Sequence, residues 1–464
     1  MRVANGVTYE FRLRAIYVKV IIFLREGAMN EQTSNEIRQE KGLNRREFMG
    51  AAAAAGFMIL KPGLVRGAQA NSAVRVGLLG CGGRGTEDAS NLVDTGGARV
   101  VALADLFQDQ LDAGRKHFDR MQQAKGYSPI DASQTFVGPN AYQEIAASKE
   151  IDAIIIATPP IFHPQHLEAV VAAGKHVYCE KPVAVDAPGA KRVIEIGQRA
   201  QGKLSLDVGF QIRNCPPFVE TVRRIHAGAL GVIASGEAHY IAGYIDRPAW
   251  PNASPEERRL RNWVHDRVLS GDIIVEQNIH AIDVCNWVLQ DHPVKAAATG
   301  GTAGRPPSDT AYSHYNVVLY YPNDIAVTFS STQFNKGWWD VTERFFGTKG
   351  TSQTPYSGPI GIWGDEPWQP AQAQPEAGSQ QFSATGKFSD NLAEADPEKK
   401  KAFVESITSG QFHNQAEQGA LSALTCMMAR TAAYNGNPVT WDELMSSTEV
   451  WESGIDLNKL NWRG

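Results

Sequence analysis

This sequence has few cysteines, no large excess of charge of either sign and no long apolar run, and each of these features argues against a class of protein. The 464 residues include five cysteines, an odd number, and no two of them form a C-x-x-C pair. A disulfide framework and a zinc site are therefore not expected, and no other metal site is predicted. We interpret the cysteines as mostly buried thiols; they are Cys81, Cys179, Cys215, Cys285 and Cys426.

Charge and hydropathy exclude two further classes. The 45 Lys and Arg residues nearly balance the 50 Asp and Glu residues, and the two signs are mixed along the chain. Since phosphate backbones need an extended cationic surface, binding of nucleic acid is not expected. The apolar run at residues 15–24 is interrupted by Lys19. It is also shorter than the roughly 20 residues that cross a bilayer, so no stable membrane anchor is predicted.

The first pattern that is present is an export signal. Arg45 and Arg46 precede Phe48, an alanine-rich run follows at residues 51–60, and Ala-Gln-Ala at residues 68–70 supplies a small-x-small cleavage site. This order is typical of a twin-arginine signal peptide. We therefore expect the twin-arginine translocation machinery as a partner and a periplasmic or extracellular location. An ordinary amphipathic helix is the alternative.

The remaining chain is long enough for two domains. Hydrophobic residues make up 43% of the full sequence, so the chain can bury a large core. The predicted division is a signal peptide at residues 29–70, a first domain at 71–209 and a second domain at 210–464. Because twin-arginine signals usually start close to the arginines, Met29 is a candidate initiator and residues 1–28 a start-site artefact.

A glycine-rich turn follows the first strand pattern. Residues 74–79 are β-branched and aliphatic, residues 80–85 read G-C-G-G-R-G, and a helical segment comes next. This is the G-x-G-x-x-G fingerprint in its strand-turn-helix context, which predicts a dinucleotide pyrophosphate at the helix N-terminus. A glycine-rich turn without a cofactor is the alternative. The expected cofactor-binding residues here are Gly80, Cys81, Gly82, Gly83, Arg84 and Gly85.

Asp105 completes the fingerprint. It ends a second strand pattern at residues 99–104, about 20 residues beyond the last glycine, as the fingerprint requires. A carboxylate at this place accepts hydrogen bonds from the adenosine ribose and repels a 2′-phosphate, and Leu106 supplies no cation to bind one. We therefore predict NAD rather than NADP.

Two later strand patterns predict the rest of the cofactor site. Residues 151–157 form an almost continuous apolar run, as a parallel strand covered on both faces would need, and residues 175–179 form another strand. Ligands bind beyond the carboxyl ends of such strands, although a histidine there also fits an ordinary turn. The expected cofactor contacts are Thr158, Pro159, His163, Glu180 and Lys181.

Beyond residue 210, strand patterns follow one another instead of alternating with helices. They occupy residues 234–241, 294–300, 313–321 and 325–333. This succession indicates a C-terminal α+β domain with a largely antiparallel open sheet, after an N-terminal doubly wound parallel sheet of the Rossmann type. Residues 358–386, rich in Pro, Gln, Gly and Ala, read as a long loop.

Residues 272–287 have partly helical character. In a helix Glu276, His280 and Asp283 fall at positions i, i+4 and i+7, on one face. That face would present an acid, a base and an orienting carboxylate together. The alternative is a solvated helical pair of Glu276 and His280.

These motifs together resemble the Gfo/Idh/MocA family of sugar and polyol dehydrogenases. The resemblance runs over about residues 75–451 and is most specific at residues 80–85, at Asp105, at Glu180-Lys181-Pro182 and at 276–283. It implies that Lys181 contacts the reacting hydroxyl and the cofactor, and that His280 is the catalytic histidine. Glu276 stands where the family has Asp, and its longer side chain shifts the carboxylate by one methylene.

The implied function is NAD-dependent oxidation of a hydroxyl of a sugar, glycoside or cyclic polyol by hydride transfer, with the proton taken by the protein. Export favours a cofactor that is loaded first and then stays bound. The alternatives are an exported glycoside hydrolase or lyase that uses NAD transiently, and a non-catalytic sugar-binding relative. A homo-oligomer is expected. The residues predicted to bind substrate are Arg213, Tyr240, Trp263 and Asp283.

Overall fold

Two β-sheets, one after the other along the chain, organise the fold. The computed structural model describes residues 73–371 and 390–463. The predicted export signal at residues 29–70 lies outside the described residues. The predicted fold class, a doubly wound parallel sheet followed by a largely antiparallel sheet with helices, is confirmed.

The first sheet is parallel throughout, with the strand order β3-β2-β1-β4-β5-β6. The order reverses between β1 and β4, which opens a crevice beyond the carboxyl ends of the strands. Apolar runs predict every strand except β3, including a run at residues 204–210 for β6; β3 is a three-residue edge strand that is only half-buried. The strands are β1 (Val74–Leu79), β2 (Ala98–Asp105), β3 (Thr135–Val137), β4 (Ala153–Ile156), β5 (His176–Cys179) and β6 (Leu206–Val208).

Helices cover both faces of this sheet. Ile154 and Ile156 of β4 pack in one buried apolar cluster, whereas Ile155 between them packs in a second cluster on the opposite face. Because successive strand residues point to opposite faces, a strand covered on both sides must be apolar throughout. The helices are α1 (Gly83–Asp94), α2 (Gln108–Ala124), α3 (Ala141–Ala147), α4 (His163–Ala172) and α5 (Ala187–Ala200).

The second sheet has the order β13-β12-β11-β7-β10-β9-β8-β14. All neighbouring strands are antiparallel except β7 and β10, which run parallel. The strands are β7 (Ile233–Ala242), β8 (Lys295–Gly301), β9 (His314–Tyr320), β10 (Ala326–Gln333), β11 (Asp340–Gly347), β12 (Gly350–Pro355), β13 (Gly361–Gly364) and β14 (Val439–Thr440).

The second half of the chain differs from the prediction at three places. Strand β13 lies inside the predicted loop at 358–386, of which residues 372–389 are outside the described part. The predicted helical segment at 272–287 is broken at Gln277 and Asn278. The helices are α6 (Pro216–His226), α7 (Pro255–Arg261), α8 (Arg267–Ser270), α9 (Ile273–Glu276), α10 (Ile279–Leu289), α11 (Ala395–Ser409), α12 (Ala416–Asn435) and α13 (Trp441–Ser446).

The third difference concerns residues 402–435, whose helical spacing of apolar residues predicts a helix that ends at residues 435–436. The structure instead has two helices here, α11 and α12, which return to the first sheet. Gly410 ends α11 in a left-handed conformation, with φ of +74°. Phe403 of α11 is fully buried in the same apolar cluster as β1, and its ring centroid lies 5.8 Å from that of Tyr178 in β5. The first sheet therefore completes its core with residues from near the end of the chain.

The last described segment, residues 457–463, also packs on the first domain. The backbone amide of Gln108 donates to the carbonyl of Trp462 at 2.9 Å, and Leu457 and Leu460 pack in an apolar cluster with Phe107. Across residues 73–371 and 390–463, no helix combines the length and the hydropathy needed to span a bilayer.

Phe403→Ala tests whether α11 is part of the first domain's core. We expect a loss of about 3–5 kcal/mol in the free energy of unfolding, because the truncation leaves a cavity between α11 and the first sheet. Denaturant titration followed by circular dichroism measures this. The matched control is Lys401→Ala, an exposed position on the same helix, which should change the free energy by less than about 0.5 kcal/mol. Equal effects of the two variants would contradict the packing.

Candidate active site

A cavity of about 530 Å³ opens beyond the carboxyl ends of β1, β4 and β5. Its walls come from the loops after these strands, from the second domain and from the last described segment. It brings together most of the residues that the sequence predicts. These are Gly80, Gly82, Gly83, Arg84, Gly85, Asp105, Thr158, Pro159, His163, Glu180, Lys181, Tyr240, Trp263, Glu276 and His280.

The glycine loop, residues 80–85, has the geometry of a phosphate cradle. Gly80 has a φ of +101°, which favours glycine, and a Cβ on Gly85 would stand 2.1 Å from the Gly80 carbonyl oxygen. A Cβ on Gly82 would meet nothing within 4 Å, so this side of the loop is open. Gly82 precedes the first turn of α1, and without a side chain it leaves the helix amides to an anion. These residues fit a dinucleotide pyrophosphate.

Asp105 is held by backbone amides at the end of β2. Its carboxylate accepts from the Cys81 amide at 2.7 Å and from the Phe107 amide at 2.9 Å. Burial raises the pKa of Asp105 to about 6, although the two amides oppose the shift. Cys81 itself does not line the cavity; its amide positions Asp105, and its thiol approaches the Ala104 carbonyl.

A cluster of buried charged side chains holds Arg84 of the glycine loop in place. Arg84 lies 3.0 Å from Glu180, 2.8 Å from Asp396 and 3.1 Å from Asp88, measured from guanidinium nitrogen to carboxylate oxygen. Lys400 Nζ lies 2.7 Å from Asp88 and 3.1 Å from Asp396. Arg84 was predicted to contact the cofactor, and it does line the cavity, but its side chain is committed to this ion cluster.

The ion cluster keeps the carboxylate of Glu180 charged. Burial opposes ionisation, but Arg84 and Lys181 outweigh it and lower the pKa of Glu180 to about 2. Burial raises the pKa of Asp88 to about 7, even with Arg84 and Lys400 beside it. The carboxylate of Glu180 also accepts from the Lys181 amide at 3.0 Å, so the cluster fixes the backbone that carries Lys181.

Lys181 reaches across to the second domain. Its Nζ donates to the Glu276 carbonyl at 2.6 Å and to the Glu276 carboxylate at 3.1 Å. Both side chains are largely buried, with 12% of each exposed. The predicted pairing of these two residues in one site is therefore seen, with Glu276 holding the ammonium group.

His280 lies in the cavity wall on α10, with 6% of the residue exposed. Burial, and then the neighbouring Lys181, lower its pKa well below 6.5. Desolvation disfavours the imidazolium form, so the ring is neutral at neutral pH. Its Nδ1 is buried and has no hydrogen-bond partner among the described residues. The ring is consequently a neutral acceptor or donor available to a ligand.

The loop after β4 is fixed by two histidines. His163 contacts the carbonyl oxygens of Pro182 and Thr158, each at 2.7 Å, and so joins the loop after β4 to the loop after β5. His166 Nδ1 lies 3.0 Å from the Thr158 hydroxyl oxygen. His163 and Thr158 line the cavity as predicted, and the role that this geometry gives His163 is to position the loop.

The four predicted substrate contacts divide into two pairs. Tyr240 and Trp263 line the cavity, whereas Arg213 and Asp283 do not. Arg213 and Asp283 form a bidentate ion pair at 2.8 and 3.0 Å, and Asp283 also accepts from Ser422 at 2.7 Å. The prediction for these two is therefore not supported. Asp283 lies on the same helix as His280, but its carboxylate is bound by Arg213 and Ser422 and does not line the cavity.

Family models match both halves of the described chain. One, described as an oxidoreductase family with an NAD-binding Rossmann fold, matches residues 74–208, and the other, described as the GFO/IDH/MocA C-terminal domain, matches residues 218–353. The chain belongs to the Gfo/Idh/MocA family. The predicted NAD-binding Rossmann domain is thereby confirmed, and the glycine loop, Asp105 and Lys181 lie within its match.

Several proteins of known function are similar in sequence to part of this chain. An inositol 2-dehydrogenase from Agrobacterium fabrum is 30% identical over 225 residues, which are 48% of this chain and 56% of the relative. One from Rhizobium meliloti is 27% identical over 293 residues, 62% of this chain and 78% of the relative. The chain thus spans little more than half the length of the Agrobacterium protein.

Solved structures show the same family fold. Myo-inositol 2-dehydrogenase from Lactobacillus plantarum has a TM-score of 0.61 at 19% identity, covering 79% of this chain and 99% of its own. A levoglucosan dehydrogenase in complex with NADH and levoglucosan has a TM-score of 0.61 at 18% identity, with the same coverage. At these identities the likeness concerns the fold alone.

Several cavity or supporting residues of this family member were missed by sequence reasoning. Arg247, Trp250 and Leu457 line the cavity, and Asp396 and Lys400 complete the ion cluster. Gln211 also lines the cavity; the sequence marks it as a polar residue on a loop after the strand pattern at residues 204–210, although it is not among the four predicted substrate contacts. Asp396, Lys400 and Leu457 lie beyond both family matches, and no local motif marks them.

NAD affinity should fall as the pH drops through about 6. Below that value the buried Asp105 carboxyl, whose pKa is raised to about 6, becomes protonated and loses the charge that attracts ribose hydroxyls. Above that value the affinity should be constant. Asp105→Asn should bind NAD weakly at every pH, prefer NAD less strongly over NADP, and lack this pH dependence. Calorimetric titration with NAD over a pH range that brackets 6 measures it.

The matched control is Asp112→Asn, an exposed carboxylate on the adjacent helix α2. It should keep the affinity and the pH dependence of the parent. A parent protein whose affinity is flat through pH 6, or an Asp105→Asn variant that keeps the dependence, would show that another group controls cofactor binding.

Proposed function

We propose that this protein is an NAD-dependent dehydrogenase that oxidises a hydroxyl of a sugar, glycoside or cyclic polyol. One observation carries the proposal: the Lys181 ammonium and the neutral His280 imidazole line the same cavity as the glycine loop. Family membership supports oxidoreductase chemistry. The inositol 2-dehydrogenases that the chain is similar to support a ring polyol or sugar as the substrate class.

The chain's own residues divide the work of such an oxidation. NAD, when bound, accepts the hydride. Lys181 Nζ, held by the Glu276 carbonyl and carboxylate, donates a hydrogen bond to the oxygen that becomes a carbonyl. His280, kept neutral by burial, accepts the proton from the same hydroxyl or passes it to solvent. Glu276 acts by orienting Lys181, which explains how its longer side chain can replace an aspartate.

Lys181→Ala and His280→Ala should each lower hydride transfer by roughly 100-fold or more, the usual contribution of general acid-base catalysis. NAD binding should survive, because the glycine loop and Asp105 are untouched. The measurement is a single-turnover assay of reduced nicotinamide absorbance on a panel of glycosides and polyols. Lys203→Ala, at an exposed position before β6, is the control and should keep the parent rate.

Near-normal rates in both alanine variants, on a substrate that the parent oxidises, would remove these residues from the mechanism. Glu276→Gln should reduce the rate less than Lys181→Ala if Glu276 only orients the ammonium group. The double variant of Glu276→Gln and Lys181→Ala should have a rate of hydride transfer only slightly lower than that of Lys181→Ala alone, as expected of residues that act as a unit.

We also propose that the protein is exported through the twin-arginine pathway with NAD already bound. The residue pattern around Arg45 and Arg46 supports export. The last described segment packs over the end of the cavity near Asp105, which supports slow exchange of NAD. Leu457 of this segment lines the cavity, and the Gln108 amide donates to the Trp462 carbonyl. Twin-arginine transport carries folded proteins, so a resident cofactor can travel with the chain. The expected homo-oligomer stays a prediction.

Replacing Arg45 and Arg46 by lysine should retain the protein in the cytoplasm of the producing bacterium, whereas the parent is recovered outside it. Cell fractionation followed by immunoblotting measures the distribution. Denaturing the exported parent should release NAD(H) in near-equimolar amount, identified by mass and absorbance. Export of the lysine variant at the parent level would exclude the pathway, and an exported protein without nucleotide would exclude loading before transport.

A further inference from the structure

Arg247 is a cation at the substrate end of the cavity. It lies in the loop after β7, together with Ile245, Pro248 and Trp250, and all four residues line the cavity. Its strongest favourable electrostatic interaction is with Glu276, the residue that holds Lys181. Asp105, at the cofactor end, is instead influenced by Arg261. Arg247 therefore stands near the reacting centre, on the side of the second domain.

The other cations of the cavity wall are already engaged. Arg84 belongs to the ion cluster, and Lys181 is bound by Glu276. Arg261 pairs with Asp109 at 2.9 Å and with Glu257 at 2.7 Å. Arg247, in contrast, forms no hydrogen bond or ion pair within residues 73–371 and 390–463, although its side chain is exposed and reachable.

The surroundings of Arg247 leave its charge poorly compensated. Although Arg247 is exposed, nearby protein atoms partly desolvate its guanidinium and lower its pKa, and Glu276 only partly offsets this. An arginine nevertheless stays protonated at any physiological pH. Glu276 already shares its carboxylate with Lys181, so an anion supplied by a ligand would balance the charge. A planar guanidinium is suited to bidentate recognition of a carboxylate.

A second polar group faces the same space. Gln211, only 2% exposed, lines the cavity, and its side-chain oxygen is buried without a hydrogen-bond partner among the described residues. A buried amide oxygen without a partner costs free energy unless a ligand donates to it. A sugar hydroxyl is such a donor. The wall therefore offers one site for a hydroxyl and one for an anion.

We propose that Arg247 binds a carboxylate of the substrate and that the substrate is accordingly a sugar acid, with Gln211 accepting from one of its hydroxyls. This inference rests on the proposed dehydrogenase function for the placement of substrate in the cavity. It narrows the substrate class from sugars and polyols in general to acidic sugars.

The test compares matched acidic and neutral sugars on the NAD-loaded protein. The pairs are D-glucuronate with D-glucose, D-galacturonate with D-galactose, and D-mannuronate with D-mannose. Binding is followed by tryptophan fluorescence, since Trp250 and Trp263 line the cavity, and oxidation by reduced nicotinamide absorbance. At least one hexuronate should bind more tightly than its hexose by about 10- to 100-fold, the range for a hydrogen bond to a charged group.

Variants of Arg247 assign the preference. Arg247→Gln should raise the dissociation constant of the preferred hexuronate by about 10- to 100-fold and leave that of the hexose unchanged. Arg247→Lys should retain part of the preference, because it keeps the charge but loses the bidentate geometry. The control is Arg258→Gln, on helix α7 outside the cavity wall, which should change neither constant.

The outcomes separate this inference from the proposed function. Hexuronate binding that depends on Arg247, without reduction of the cofactor by any sugar, supports the carboxylate site and contradicts the dehydrogenase. Oxidation of neutral sugars with no preference for any of the three hexuronates supports the dehydrogenase and overturns the carboxylate site. Equal weakening of acid and neutral sugar by Arg247→Gln would also overturn it, because the residue would then act on the shape of the cavity.

Discussion

The ion pair between Arg84 and Glu180 is the constraint on which the site depends. It joins the glycine loop to the end of β5, and the Glu180 carboxylate also binds the amide of Lys181. Asp396 and Lys400 from α11 enclose the pair. Removing one partner from such a buried set leaves an uncompensated charge, typically at a cost of about 3–5 kcal/mol. The cofactor cradle and the lysine that faces the substrate are therefore fixed by the same contacts.

The cavity is assembled from segments that are distant along the chain. Parallel strands supply its floor, since their carboxyl ends meet at the point where the strand order reverses. The second domain contributes Glu276 and His280, and the last described segment contributes Leu457. The end of the cavity near Asp105 is thus covered by a part of the chain that folds back after α13, and the proposed slow exchange of NAD rests on this cover.

The electrostatics of the substrate end follow from burial. Desolvation keeps His280 neutral, and Lys181 Nζ lies 3.1 Å from the carboxylate of Glu276. A neutral acceptor beside a held ammonium group is suited to removing a proton from a hydroxyl and stabilising the oxygen left behind. Arg247 adds a positive charge that Glu276 offsets only in part, and the proposed preference for acidic sugars depends on this charge.

The sequence by itself determined the first sheet, the glycine loop with Asp105, and Lys181 at a strand end, because each depends on local patterns: apolar runs, a turn that needs glycine, a fixed spacing. It also placed Glu276 and His280 in one site. Only the tertiary structure decided that Asp283 pairs with Arg213, because the two residues lie 70 positions apart and meet only in the folded chain. It alone brought Asp396 to Arg84 across 312 positions of sequence. Such contacts leave no periodic trace, since they are formed by residues that become neighbours only when the two sheets and the C-terminal helices pack together.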